Sequence, residues 1–230
     1  MNDEILDIDV KHWVTPASKY IAEKIGTAEI RKGKQSRGYH RMEGIGGYVL
    51  YYTKQTLPIT SLYIDGQQWM IDDVLHWTGM RRFGEMAEGD VLVGGLGLGL
   101  ITQALIDNPK VNTITIIERN RDVINLISKY IAWAMANKGK SVEIMNEDYL
   151  SWIVKSFEMK HFDYVILDLW VGKGNKHMVT EMQIYADLTY ELFQNAKVWI
   201  WGINSERYNP AFKNSKALKQ FKKVESEEKW

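Results

Sequence analysis

Cysteine is absent from the 230-residue chain. That removes disulfides, thiolate metal sites and cysteine nucleophiles together, and it fits a reducing compartment, so cytoplasm is the expected location. An excess of either charge is absent too: 29 Lys and Arg face 29 Asp and Glu, a formal net charge of +0. Overall charge therefore gives no sign of a polyanionic partner, and a nucleic-acid reading has to rest on local patches. No apolar run approaches the length of a membrane span, and no membrane partner is expected. The opening stretch MNDEILDIDVKHW is acidic and lacks a basic region followed by an apolar core, so a secretory signal is not expected. The five histidines, at positions 12, 40, 76, 161 and 177, show no zinc-ligand spacing, and no metal is expected.

What is present is aromatic and patterned. Nine tryptophans and twelve tyrosines are spread along the chain, most of them expected in core or rim packing. The length suits one substantial core with a small appendage. Before about residue 88 the runs YVLYYT (48–53) and SLYIDG (61–66) read as hairpin strands around a turn-like KQTLP. The earlier PASKYIAEKIG, with Pro near its start and Gly at its end, reads as a short helix. A bridging helix is expected over DVLHWTGMRRFGEMA from Asp73. From Asp90 onward the runs DVLVGG, TITIIE, VEIM, FDYVILDLW and AKVWIWGI alternate with stretches of helical periodicity. The expected architecture is α/β, a Rossmann-like, mostly parallel, doubly wound sheet carrying a small N-terminal β-hairpin subdomain. Residues 1–72 form the β-rich part in this reading and 73–230 the catalytic domain.

The segment DVLVGGLGLGLITQALID (90–107) places Gly95, Gly97 and Gly99 where a strand ends and a helix begins. Missing side chains there allow a tight turn and close approach of a ligand to backbone amides at the helix start. A close strand-to-helix packing turn would use the same glycines. Glu118 ends the next strand, 19 positions after Gly99 (118 − 99), where a nucleoside-binding sheet carries an acidic residue for the ribose hydroxyls. Asp148 follows the third strand and Asp168 ends the fourth. Each could be a helix cap, but together with Glu118 they would line one crevice at the carboxyl ends of the strands.

These runs resemble the class I S-adenosylmethionine-dependent methyltransferase superfamily, and within it are most similar to the spermidine synthase group of polyamine aminopropyltransferases. LYIDGQQWMIDD resembles that group's Leu-x-Leu-Asp-Gly-x-x-Gln segment. The resemblance implies S-adenosylmethionine, or its decarboxylated form, held beside Gly95, Gly97 and Gly99. Glu118 would hold the ribose with Arg119 adjacent, and Asp148 the adenine amino group with Tyr149 adjacent. Asp168 would face the transfer centre, with Gln68 and Trp170 toward the acceptor. Two departures stand out. The group's Gly-Gly-Gly-Asp-Gly-Gly turn has Leu98 in place of its aspartate, and Asp-Ser-Ser-Asp-Pro becomes Asp168-Leu169-Trp170-Val171-Gly172. Flexible polycations need paired carboxylates when buried, so both losses count against a polyamine acceptor.

The sequence therefore puts methyl transfer to a small acceptor first, with Asp168 orienting or deprotonating the nucleophile. Aminopropyl transfer from the decarboxylated cofactor is the alternative. Others are a noncatalytic nucleoside-binding module and, through the basic stretches RKGKQSRGYHR (31–41) and KNSKALKQFKK (213–223), a nucleic-acid methyltransferase. Asp72, Asp73 and His76 read as a helix start rather than a metal site. Only about 27 residues follow Ile203 (230 − 203), fewer than usually complete this group's sheet, and a homodimer fits the exposed hairpins and short C-terminus.

Overall fold

The computed structural model describes residues 5–8, 13–44, 47–156, 160–170 and 176–201. The N-terminal strands are β1 (Ile5–Ile8), β2 (Glu23–Ile25), β3 (Ala28–Gln35), β4 (Gly38–Gly44), β5 (Gly47–Thr53), β6 (Leu57–Ile64) and β7 (Gln67–Ile71). They form two sheets, ordered β1-β5-β4 and β2-β3-β6-β7. The two runs expected to pair as one hairpin are therefore separated. β5 is flanked by β1 and β4, whereas both edges of β6 are taken by β3 and β7.

The helix expected over PASKYIAEKIG is also corrected. Only a 3-10 turn forms, Pro16–Lys19, with Thr15 and Ser18 exchanging capping hydrogen bonds. Lys32 Nζ donates to the carbonyls of Ala17 and Ser18, each at 3.0 Å, so acceptors that would continue a helix are satisfied from the side. The chain then enters the β2–β3 hairpin, turning at Gly26 with φ 52. The basic stretch 31–41 lies largely in β3 and β4 and is mostly exposed. Within it Arg31 pairs with Glu29 at 2.6 Å. The second basic stretch lies outside the described residues, as does everything after Trp201 that could complete the sheet.

The second half follows the expected alternation. Helix α1 (Val74–Met86) leads to β8 (Gly89–Gly94), α2 (Leu100–Asp107), β9 (Val111–Ile117), α3 (Arg121–Lys138), β10 (Ser141–Met145), α4 (Tyr149–Ser156), β11 (Tyr164–Leu167), α5 (Lys176–Leu192) and β12 (Lys197–Ile200). The strands form one parallel sheet ordered β10-β9-β8-β11-β12. From β8 the chain first builds outward to β10, then returns to add β11 on the other side. That reversal opens a crevice at the strands' carboxyl ends, the usual ligand position in such sheets. Apolar residues cover both faces. One cluster includes Val91, Val93, Leu105, Ile127 and Trp199; the other includes Leu92, Val165, Trp152 and Phe193.

Polar contacts lock the N-terminal layer over this sheet. Tyr20 stacks on Tyr130 of α3, ring centroids 3.8 Å apart, and its hydroxyl donates to the Leu98 carbonyl at 3.0 Å. Fully buried Asp72 accepts the Thr60 amide at 2.6 Å and the Thr15 hydroxyl, joining the 3-10 turn, β6 and the chain just past β7. Burial pushes its carboxyl above the usual range, with these hydrogen bonds and Lys32 working the other way. Asp72→Ala strands a buried amide and hydroxyl, so it is expected to lower stability by about 2–4 kcal/mol. Urea unfolding followed by tryptophan fluorescence checks this, and a loss no larger than that of an exposed Asp→Ala control refutes the locking role.

Candidate functional site

At the reversal point lies a cleft of about 350 Å³, within the size range of small-molecule sites. Gly95 and Gly97 line it, and both adopt left-handed backbone, φ 92 and 50. Gly99, φ 70, caps α2 from behind. A Cβ at Gly97 would stand 2.6 Å from Met70 Sδ, and one at Gly95 would collide with the Asp168 carbonyl. The glycines therefore serve close approach as well as turning. Leu98, by contrast, is fully buried, donates its amide to Met70 Sδ at 3.2 Å and does not line the cleft.

Each expected carboxylate sits at a strand end and lines this cleft. Glu118 follows β9 and accepts two backbone amides, Leu96 at 2.9 Å on Oε2 and Asn120 at 2.8 Å on Oε1. Each oxygen keeps a second lone pair for a ligand hydroxyl. Asp148 caps α4, Oδ1 accepting the Ser151 amide at 3.0 Å. The cap reading and the cleft reading thus hold together. Arg119 and Tyr149 line the cleft beside them, and the Tyr149 hydroxyl bonds Thr189 Oγ1 at 3.1 Å. Trp170 is a cleft wall, nearly buried, its ring edge-on to Tyr185 with centroids 5.3 Å apart.

Gly99, which faces Ile127 and Ile131 of α3, and Gln68 are the two expected site residues that do not line the cleft. The Gln68 side chain is exposed and accepts the Tyr63 hydroxyl at 3.2 Å. The cause is a β-bulge: Tyr63 pairs with Gln68 and Leu62 with Met70, leaving Trp69 as the extra residue. The local bend brings both Trp69 and Met70 to the cleft. Trp69, Asp65, Glu181 and Tyr185 are cleft residues that sequence reasoning missed. A signal existed for Asp65, since Asp-Gly is the favoured tight hairpin turn and Asp65 takes φ 51 there. None existed for Glu181 and Tyr185, which share a face of α5 that only packing defines.

Asp168 lines the cleft at the end of β11. Its amide is held by the Gly94 carbonyl at 2.9 Å, which fixes the strand end beside the glycine turn. Burial pushes the carboxyl up to about 6, and nearby His76 partly opposes the rise. Such a group is ionised at neutral pH and still basic enough to take a proton. With Asp65, Glu118, Asp148 and Glu181 against Arg119 in the lining, the cleft favours a positively charged ligand. The bare backbone at Gly95 and Gly97 and this acidic lining both fit a sulfonium nucleoside. Among the described residues no group of three or more His, Cys, Asp or Glu could hold a metal ion, and no helix is long and apolar enough to cross a membrane.

The family model for the spermine/spermidine synthase domain matches residues 74–226. The chain belongs to this family. Members take S-adenosylmethionine or its decarboxylated form as substrate. The solved spermidine synthase from Thermotoga maritima is similar at 15% identity over 84% of this chain and 72% of its own, with TM-score 0.45. A spermidine synthase in complex with the transition-state analogue AdoDATO gives 16%, 84%, 73% and 0.46. A putative methyltransferase from Porphyromonas gingivalis W83 gives 26% identity over 42% of this chain and 23% of its own, TM-score 0.33. A search of curated proteins returns no match. The chain is thus a transferase of the spermidine synthase family, and the expectation that methyl transfer leads is not supported.

The raised Asp168 carboxyl has a consequence for stability. A carboxyl that holds its proton more tightly in the folded state contributes fully below its unfolded value near 3.8, and that contribution is lost as pH rises toward about 6. Asp168→Asn is therefore expected to melt above the parent at neutral pH, by up to about 2 kcal/mol, and level with it near about pH 4. Calorimetric melts at the two pH values check this. A lower melting temperature for the variant at neutral pH contradicts it.

Proposed function

We propose that the protein transfers an aminopropyl group from decarboxylated S-adenosylmethionine to a small amine. The observation that carries this reading, beside membership of the family, is the Asp168 carboxylate at the end of β11, facing the cleft next to the glycine turn. The sulfonium nucleoside supplies a carbon made electrophilic by positively charged sulfur. The amine nitrogen forms a bond to that carbon, the carbon–sulfur bond breaks with its electron pair going to sulfur, and the nitrogen then sheds a proton.

The chain's own residues would align the partners and receive that proton. Asp168 accepts it, having first drawn the amine to the cleft by charge. Glu118, with Arg119 adjacent, holds the ribose end, and Asp148 with Tyr149 the adenine end. Trp69 and Trp170 wall the cleft and limit water beside the reacting atoms.

One observation favours methyl transfer as a second reading. Leu98 stands in the core where the resembling group has an aspartate, so the turn offers no carboxylate, a loss felt less by intact S-adenosylmethionine, which carries a carboxylate of its own, than by the more positive decarboxylated form. Titrating the protein calorimetrically with S-adenosylmethionine and its decarboxylated form separates the two. Tighter binding of the decarboxylated form is expected, and preference for the intact form would establish the second reading instead. In either case Asp168→Asn should lower kcat/KM by about 10²–10⁴-fold with binding of the nucleoside retained. The parent's kcat/KM should rise with pH through about 6 as Asp168 ionises. A flat profile there, or a fully active variant, rules Asp168 out as the proton acceptor.

A further inference from the structure

Behind the cleft lining a second series of polar side chains links the N-terminal strands to Asp168. Gln35 Nε2 donates to the Tyr51 hydroxyl at 2.7 Å, and that hydroxyl donates to Asp73 Oδ2 at 3.1 Å. Asp73 Oδ1 accepts the His76 backbone amide at 2.9 Å and meets the His76 ring at Nδ1, 2.8 Å away. The imidazole lies over the indole of Trp201, centroids 5.6 Å apart and planes 23° from parallel. Trp201 follows β12 and donates its amide to the Leu167 carbonyl at 2.8 Å, which sets it alongside Asp168 in the sheet. His76 therefore bridges the start of α1 and the strand end carrying the proposed base.

Capping alone does not account for this arrangement. Ser, Thr or Asn caps a helix as well as Asp does. Here the carboxylate also grips the imidazole and takes a tyrosine hydroxyl on its other oxygen. Burial opposes a charged His76, but Asp73 beside it, with Asp168 and Asp72 further off, more than compensates and raises its affinity for a proton. Asp73 at the N-cap of α1, Asp168 at the end of β11 and Asp72 just past β7 are the carboxylates that act on His76. Tyr51 of β5 acts through Asp73, and Trp201 contributes an uncharged face.

We propose that His76 is a positioning residue for the transfer step: clamped by Asp73 as an imidazolium, it keeps the Asp168 carboxylate ionised and ready for the amine. This rests on the reading of Asp168 as proton acceptor. The physical warrant is Coulombic. A cation beside a half-buried carboxylate favours its charged form and offsets part of the burial penalty.

The test is carbon NMR titration of the full chain labelled at aspartate carboxyls, with the Asp168 signal assigned by its loss in Asp168→Asn. In His76→Gln the Asp168 midpoint should move upward from its parent value. In the same variant kcat/KM should fall about threefold or more near about pH 6 and stay close to the parent near about pH 8.5. Asp73→Ser keeps an N-cap acceptor while removing the carboxylate, so it should shift the midpoint in the same direction by less. A purely structural His76 would lower activity equally at both pH values. An unmoved midpoint in either variant overturns the proposal. The midpoint is read without turnover, so a moved midpoint together with a fully active Asp168→Asn keeps the coupling and overturns only the use of Asp168 as the base.

Discussion

The cleft depends on the Glu118 carboxylate being held at the end of β9. One oxygen accepts the Leu96 amide of the glycine turn and the other the Asn120 amide that precedes α3. These two loops come from neighbouring strands of a parallel sheet, where no hairpin ties strand ends together. The Glu118 side chain, together with the Gly95 amide donating to the Ile117 carbonyl at 2.9 Å, ties the glycine turn to the end of β9. The two amides fix the orientation of the carboxylate, and the same group lines the cleft. One group is thus both a brace between loops and a cleft residue.

Around this brace the charges are arranged unevenly. The lining is acidic while the whole chain is neutral, so the basic residues must lie elsewhere. Arg31 and Lys32 are used on β3, one paired with Glu29 and the other clamping the 3-10 turn. A cationic nucleoside and a cationic amine both gain from such a lining, but they also repel each other. The carboxylates of Asp65, Asp148, Asp168 and Glu181 reach the cleft from four different parts of the fold, the β6–β7 turn, the start of α4, the end of β11 and α5.

The departures from the spermidine synthase pattern are compensated by packing rather than by chemistry. Leu98 joins the apolar cluster that seats α2, and its amide finds the Met70 sulfur. Trp170, where the resembling group has serine, packs edge-on to Tyr185 of α5. The parallel sheet is kept, and an indole replaces a hydroxyl in the cleft wall.

What the sequence determined by itself was the parallel α/β sheet, the glycine turn and three of the carboxylates. Strand–helix alternation and positions at strand ends are local in the chain, and their geometry follows from sheet topology. Tertiary structure alone decided the rest. A bulge moved Trp69 rather than Gln68 into the cleft, because one extra residue resets the alternation that sequence pattern assumes. Lys32 halted the first helix from a strand distant in sequence. The Tyr51–Asp73–His76 series depends on β5 and α1 meeting, and the place of Glu181 and Tyr185 on how α5 packs. Apart from the Asp73–His76 pair and the tight β6–β7 hairpin, these contacts join separate elements, and no periodicity or spacing encodes such a contact until the layers are assembled.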